Sequence, residues 1–332
     1  MPDTFKALIA DIESDELKIA ITDRTLEDLP NGNTLIEVKY SSLNYKDGMA
    51  LDGNKGKVLR KFPISPGIDL AGIVKTSSDN SFNTGDEVIV TGWGLGETHS
   101  GGYSQMARVN SEWMVSKPSS LSLKHSMSIG TAGLTAMLCV MALENSGVAN
   151  SNGEILVTGA AGGVGNISIM ILSKLGYSVT AMTGRTELEP YLKNIGATKI
   201  IHRNEILELT RPLNSIKWAG AIDTTGGSIL SNLISAIDHE GAVAACGNAA
   251  GIKLSTTVLP FLLRGVNLIG INSVYCPIER RITAWNRLGD LINPAEFEEI
   301  TQEINLHNIN KAAKEILAGE IRGRTVVNIA NM

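Results

Sequence analysis

The residues of this chain best suited to chemistry lie between Glu154 and Gly165, EILVTGAAGGVG. Ile155 to Thr158 reads as a short buried strand, a glycine-rich turn follows at once, and Asn166 to Leu175 reads as a helix. Gly162, Gly163 and Gly165 carry no side chain to hold a diphosphate away from the backbone. The free N–H groups at a helix start attract its charge. With Ala161 and Val164 these glycines make the expected diphosphate cradle, Ala161, Gly162, Gly163, Val164 and Gly165. The pattern is A-x-G-x-x-G, with Ala160 where the dinucleotide fingerprint has its first glycine. An ordinary tight turn would use the same residue types; the strand–turn–helix context is what favours a nucleotide.

Tyr177 to Thr183 reads as the next strand and runs into Thr183-Gly184-Arg185. Sheets that bind NAD carry a carboxylate near that point to hold the ribose hydroxyls. Here no acid would repel a 2′-phosphate, and a guanidinium pairs with one through two hydrogen bonds. The expected cofactor is therefore NADPH. The plain alternative for Arg185 is a solvated loop charge.

These residues need a scaffold. From Gly153 to about Ser273 strand patterns alternate with helical ones: Ile155–Thr158, Ser178–Thr183, Lys199–His202, Gly220–Asp223, Gly241–Ala245 and Asn267–Ile271. That alternation predicts an α/β doubly wound parallel sheet. The first third reads as β-rich, with strands at Phe5–Ala10, Leu35–Tyr40, Ile68–Lys75, Glu87–Thr91 and Ser104–Val109 between Gly, Asn, Asp and Pro turns. Leu134, Leu138 and Met141 follow a helical repeat that ends near Gly147. In the tail, Ile304 to Gly319 reads as helical and Arg324 to Ile329 as a last strand. That strand is expected to return to the first sheet, which makes the first domain discontinuous and the nucleotide domain an insertion.

At 332 residues the chain has room for two cored domains. Its 43% hydrophobic and 19% charged residues are ordinary for a globular protein. A net charge of −5 and only 5% aromatic residues argue against a nucleic-acid partner. Three widely spaced cysteines, Cys139, Cys246 and Cys276, suit reduced thiols and a cytoplasmic location. The N-terminal residues lack the apolar core of a signal peptide, and runs such as Gly133–Leu143 fall short of a membrane span, so no membrane association is expected.

Taken together the parts resemble the zinc-free medium-chain dehydrogenase/reductase superfamily over essentially the whole chain. Ser41-Ser42-Leu43-Asn44-Tyr45-Lys46-Asp47 resembles its loop beneath the nicotinamide, and Thr131-Ala132-Gly133-Leu134-Thr135-Ala136 its TAGLTA helix start. Phe62-Pro63-Ile64-Ser65-Pro66-Gly67-Ile68-Asp69, Thr91-Gly92-Trp93-Gly94, the stretch 130–143, Asp223-Thr224, Ala244-Ala245-Cys246-Gly247 and Leu259-Pro260-Phe261-Leu262-Leu263-Arg264 narrow the resemblance to the acrylyl-CoA reductase branch, whose members also carry quinone oxidoreductase names. Zinc alcohol dehydrogenases have cysteine where this chain has Tyr45, and Gly-His-Glu where it has Gly67-Ile68-Asp69. Isoleucine ligates nothing, and His99, His125, His202, His239 and His307 follow no ligand spacing, so no metal is expected. Packing is the expected role of each histidine; His99, in a glycine-rich loop after Trp93, is the one whose position would also allow it to border the cleft.

The resemblance implies a GroES-like β-rich catalytic domain over 1–124 and 274–332 with a Rossmann NADPH-binding domain over 125–273. It implies reduction of acrylyl-CoA to propanoyl-CoA. Hydride addition to a carbon–carbon double bond conjugated with a carbonyl leaves charge on the distant oxygen, where hydrogen-bond donors suffice without a metal. Tyr45, a neutral donor, is the expected catalytic residue, in binding and orientation more than as an obligatory acid. Asn44 and Asp47 are expected to organise its loop. The resemblance places Thr183, Gly184, Arg185 and Arg203 around a 2′-phosphate, and Asn248, Leu262 and Ser273 along the cofactor. Arg324 would touch the cofactor or cap the last strand. Between Gly53 and Lys61 four cations, Lys55, Lys57, Arg60 and Lys61, gather in an acidic chain and would suit the phosphates of coenzyme A, or simply a solvated turn. The apolar strand Asn267–Ile271, as a sheet edge, predicts a two-fold homodimer. A quinone or alkenal reductase, and a protein that binds NADPH without turnover, are the competing functional readings.

Overall fold

A computed structural model of the protein describes residues 4–331. In chain order the strands are β1 (Phe5–Glu13), β2 (Glu16–Arg24), β3 (Thr34–Leu43), β4 (Asp69–Ser77), β5 (Glu87–Thr91), β6 (Met106–Val109), β7 (Met114–Ser116), β8 (Ile155–Val157), β9 (Val179–Thr183), β10 (Lys199–His202), β11 (Trp218–Asp223), β12 (Ile237–Ala245), β13 (Asn267–Gly270), β14 (Thr301–Asn305) and β15 (Arg324–Asn328). The helices are α1 (Tyr45–Leu51), α2 (Leu123–Asn145), α3 (Gly163–Lys174), α4 (Glu189–Asn194), α5 (Arg203–Leu207), α6 (Gly227–Ile234), α7 (Leu259–Arg264), α8 (Ile278–Leu291), α9 (Pro294–Ile300) and α10 (Ile309–Ala318). They divide into two units, Met1–Thr131 with Val274–Met332, and Ala132–Ser273.

The first unit is built on a sheet of order β14-β15-β3-β4-β5-β7, with β6 also paired to β3. Its core collects the inward residues of that sheet, among them Ile36, Val38, Leu70, Val88 and Val327, under Ile309 and Ala313 of α10. β15 pairs antiparallel with β3, so the C-terminal strand completes the sheet begun by the N-terminal third. Three strands, β2, β7 and β14, are absent from the sequence reading. β2 pairs with β1 through a two-residue turn in which Ser14 and Asp15 both take positive φ, 51° and 64°. That is the geometry of a tight hairpin turn, made here without the Asn-Gly or Asp-Gly signal that marks one in sequence. Residues 304–305, read as helical, belong to the edge strand β14, and the helix begins at Ile309. The unit also extends past residue 124. His125 bonds to Glu298, and Thr131 is held by Asp69.

The second unit is a six-stranded sheet of order β10-β9-β8-β11-β12-β13, parallel at every described pairing. Counted from β8 this is the 3-2-1-4-5-6 order of a doubly wound dinucleotide fold, with the order reversing between β8 and β11. Strands buried on both faces read as unbroken apolar runs, as Ile155-Leu156-Val157 does.

Among the described residues one helix, α2, is long and apolar enough to cross a membrane by length and composition, longer than the run 133–143 suggested. It is interrupted at Gly130 (φ 50°, ψ −155°), and 89% of its most apolar stretch is buried inside the protein.

Candidate functional site

In the second unit the candidate site is the carboxyl edge of the sheet. After β8 the chain turns through residues 158–162 into α3, whose N-cap is Gly162 and whose first turn no side chain caps. The N–H groups of that turn are therefore available to an anion. Gly165 is buried against the turn; a Cβ there would lie 2.4 Å from the Gly159 carbonyl oxygen and 2.8 Å from the Ala160 Cα. Its missing side chain is what lets α3 start so close to β8. Buried Asp223, at the end of β11, accepts from Thr158 Oγ1 (2.6 Å), Thr225 Oγ1 (2.8 Å) and the Gly226 N–H (2.7 Å). Thr224 Oγ1 donates to the Thr158 carbonyl (2.9 Å). These bonds tie the ends of β8 and β11 together at the switch point. The turn after β12 joins them, because the Ala250 N–H donates to the Thr225 carbonyl (2.7 Å). That places exposed Asn248 on the same edge.

The end of β9 lies beside the end of β10, with Thr183 opposite His202. Thr183 is buried and its Oγ1 accepts from the Arg185 N–H (3.0 Å), so this hydroxyl shapes the turn. Arg203 opens α5 and lays its guanidinium flat on Gly184. A Cβ on Gly184 would sit 2.1 Å from Arg203 Nη2 and 2.5 Å from its Cζ. A side chain at 184 would therefore displace that guanidinium. Arg185 and Arg203 follow the ends of neighbouring strands, in the position where the dinucleotide fold meets a ribose. An uncapped helix start, a turn that a Cβ would fill and this pair of guanidiniums together fit a phosphorylated dinucleotide. Two further expected cofactor contacts belong to the same unit. Leu262, on α7, leaves its side chain 74% exposed, and Ser273 closes the unit after β13.

In the first unit Tyr45 is the first residue of α1. Asn44 is the N-cap, its backbone N–H donating to Asp47 Oδ2 (2.9 Å) in a capping box. Asp47 Oδ1 accepts from the Ile68 N–H (2.9 Å), so Asn44 and Asp47 do organise the loop and pin α1 to the segment before β4. Tyr45 itself is 45% exposed, and its hydroxyl has no partner among the described residues.

Beneath α1 lies a buried charged cluster that sequence reading did not assemble. Asp69 accepts from Ser42 Oγ (2.6 Å), Asn44 Nδ2 (2.9 Å), the Thr131 N–H (2.9 Å) and Thr131 Oγ1 (2.5 Å). Arg324, only 2% exposed, donates through Nε to the Ser128 carbonyl (2.9 Å) and through Nη1 to Asn44 Oδ1 (3.2 Å). It holds α2 and the cap of α1 together. Its side chain caps no strand; it is buried inside this unit, with Nη2 unbonded among the described residues. Burial and the nearby Asp69 carboxylate push Asp47 up to about 7, against three N–H bonds that favour its charged form. Burial pulls Arg324 below its ordinary value, opposed by Asp69 and Asp47. Burial raises the Tyr103 phenol well above the ordinary range; its hydroxyl donates to the Ser42 carbonyl (3.1 Å). Asp69 and Thr131 were legible as motif residues, but only folding shows that the one is the other's anchor.

His99 packs edge-on against Trp113, and its Nε2 bonds the Arg108 carbonyl (2.7 Å). Burial lowers its pKa. It serves the loop that contains it.

The chain matches the alcohol dehydrogenase GroES-like domain over residues 30–119 and the zinc-binding dehydrogenase domain over residues 163–290. The acrylyl-CoA reductase AcuI of Ruegeria pomeroyi is 45% identical, over 98% of this chain and 99% of its own. The crystal structure of the yhdH oxidoreductase of Salmonella enterica in complex with NADP superposes with a TM-score of 0.95 at 45% identity, covering 98% of this chain and 99% of that one. Bacillus subtilis yhfP with NAD bound gives 0.95 at 42% identity, covering 98% and 100%. The chain belongs to the medium-chain dehydrogenase/reductase superfamily, in its acrylyl-CoA reductase branch. The second domain's name implies zinc, but the donor set does not fit it. Tyr45 and Ile68 offer neither thiolate nor imidazole, and among the described residues no three His, Cys, Asp or Glu side chains come together as metal ligands.

Proposed function

We propose that this protein reduces the carbon–carbon double bond of an α,β-unsaturated acyl-CoA, acrylyl-CoA to propanoyl-CoA, with NADPH and without a metal. The observation that carries the cofactor is Arg203 lying on Gly184 beside Arg185, with no carboxylate at the end of β9. The relatives agree in part: the Salmonella protein was crystallised with NADP, the Bacillus one with NAD. The substrate class rests on the Ruegeria reductase, alike over nearly the whole of both chains.

When bound, the reduced nicotinamide supplies a hydride, which ends on the β-carbon of the thioester. Everything else falls to the chain. The uncapped start of α3 holds the diphosphate, and Arg185 with Arg203 holds the 2′-phosphate. Charge then develops on the thioester carbonyl oxygen, and the unpartnered Tyr45 hydroxyl is the donor offered to it. The α-carbon takes a proton from water. The capping box and the Ile68 N–H bond fix the start of α1, so the backbone that carries Tyr45 is held in place.

Turnover of acrylyl-CoA, crotonyl-CoA and a benzoquinone with NADPH and with NADH tests the reading. Acrylyl-CoA with NADPH should have the highest kcat/KM, and Tyr45→Phe should lower it about tenfold without loss of stability. A benzoquinone preferred over both thioesters would make the protein a quinone reductase instead, and no turnover at all would leave an NADPH-binding protein. The free edge of β13, beside exposed Val258, Leu262 and Leu263 on and next to α7, supports a two-fold dimer that joins two such edges. A monomer in sedimentation at micromolar concentration would rule the dimer out. The reading carries a cytoplasmic location, since it needs reduced NADPH and a thioester together.

A further inference from the structure

We propose that the loop 53–61, after α1, is a phosphate subsite for the coenzyme A portion of the substrate. The inference rests on the thioester reading above and names the group that holds the far end of that substrate. The loop is a shaped, anchored element. Asn54 sits in the left-handed region (φ 50°) and clamps Leu59 from both sides: Oδ1 accepts from the Leu59 N–H (2.8 Å) and Nδ2 donates to its carbonyl (3.0 Å). Inside that ring Gly56 and Lys57 also take positive φ, 70° and 53°. Val58 and Leu59 are buried against Ala10, Ala50 and Ile64, so the backbone is fixed while the charges stay outside.

The charge pattern is unlike that of the other lysines and arginines up to Lys124, all of which but Arg108 pair with a carboxylate. Lys6, Lys18, Arg24, Lys39, Lys46, Lys75, Lys117 and Lys124 each pair with a carboxylate. In the loop only Lys55 does, with Asp52 (2.5 Å). The side chains of Lys57, Arg60 and Lys61 are exposed and make no ion pair or hydrogen bond among the described residues. No acid occurs from Gly53 to Ile68, in a chain whose acids outnumber its bases, 34 to 29. Three unscreened cations on a rigid turn form a local positive field that an organic phosphate would enter. The loop is also tied to the reacting end. Lys46, next to Tyr45, pairs with Glu97 (2.9 Å), and the Glu97 carbonyl accepts from the Arg60 N–H (2.9 Å). Coenzyme A carries a diphosphate and a 3′-phosphate remote from its thioester, whereas a small quinone or alkenal carries none. NADPH also carries phosphates, so the test must separate the two.

The test is the full-length triple variant Lys57→Gln/Arg60→Gln/Lys61→Gln, assayed at low salt with acrylyl-CoA and with acrylyl-N-acetylcysteamine, which lacks phosphates. Binding of coenzyme A to the NADP-saturated protein is measured in parallel by calorimetry. The expected result is a KM for acrylyl-CoA about tenfold higher with kcat unchanged, no change for the truncated thioester or for NADPH, and a matching loss of coenzyme A affinity. In the unmodified protein, at saturating NADPH, added salt should raise the KM for acrylyl-CoA but not for the truncated thioester. Equal effects on both thioesters, no effect on either, or a rise confined to NADPH would overturn the subsite while leaving the reductase reading intact. Coenzyme A binding that the variant loses, in a protein that reduces no thioester, would overturn the reductase reading and keep the subsite. A protein that neither binds coenzyme A nor reduces a thioester would overturn both.

Discussion

Gly184→Ala isolates the cofactor reading. The residue is not in the positive-φ region, so alanine is tolerated by the backbone. Its Cβ, however, would sit 2.1 Å from Arg203 Nη2 and 2.5 Å from Nε and Cζ. Those atoms are the far end of a flexible side chain, so the guanidinium moves and the fold does not. Stability should change by less than about 0.5 kcal/mol. A charge-assisted hydrogen bond contributes about 1.5–3 kcal/mol, and exposure of this arginine lowers that to about 1–1.5 kcal/mol. At 1.4 kcal/mol per tenfold, the KM for NADPH should rise about 5- to 12-fold. NADH has no 2′-phosphate, so its KM should hold. Arg203→Ala should reproduce the change, and the double variant should add little, because both remove one contact. Steady-state kinetics with both nucleotides decides it. If the NADPH-to-NADH ratio of kcat/KM stays constant in either variant, the guanidinium on Gly184 does not bind phosphate and the reading of this strand end is wrong.

Other expectations follow from the same structure. Gly165→Ala pushes a methyl into the backbone of Gly159 and Ala160, which cannot swing aside. It should cost about 1–3 kcal/mol in denaturant unfolding and weaken NADPH and NADH alike. Arg324→Gln removes the buried cation that bonds Ser128 and Asn44 near Asp47 and Asp69 and should cost about 3–5 kcal/mol, read as a lowered Tm; an unchanged Tm would mean the cluster does not need it. The pH dependence has a definite sign. With Asp47 at about 7 when folded and 3.8 as its ordinary value, the folded state keeps a proton over that window that the unfolded chain has lost. This contribution is therefore full below 3.8 and is lost as pH rises through about 7; it is on the order of 4 kcal/mol at most. The stability difference between wild type and Asp47→Asn should shrink from pH 5 to pH 8, and a difference that grows with pH would contradict the raised value.

The dinucleotide turn was legible because its information is local. A short apolar run, glycines at fixed spacing and a helix start occupy consecutive residues, and the absence of an acid after Thr183 is a statement about neighbours in sequence. The loop organisers Asn44 and Asp47 were legible for the same reason, their bonds spanning three residues. β2 and β14 were missed because one is joined by a turn of atypical residues and the other is a half-exposed edge strand. The contacts that complete the sites span far more of the chain. Arg203 reaches Gly184 only because β9 and β10 lie side by side, and Arg324 reaches Asn44 only because the last strand pairs with the third. Sequence alone fixed which residues can bend sharply, donate or carry charge, since these are properties of the side chain and its immediate neighbours. Which buried charges share one low-dielectric pocket, and which glycine must stay bare for an arginine, was decided by tertiary structure, because strand pairing brings together residues that no local pattern relates.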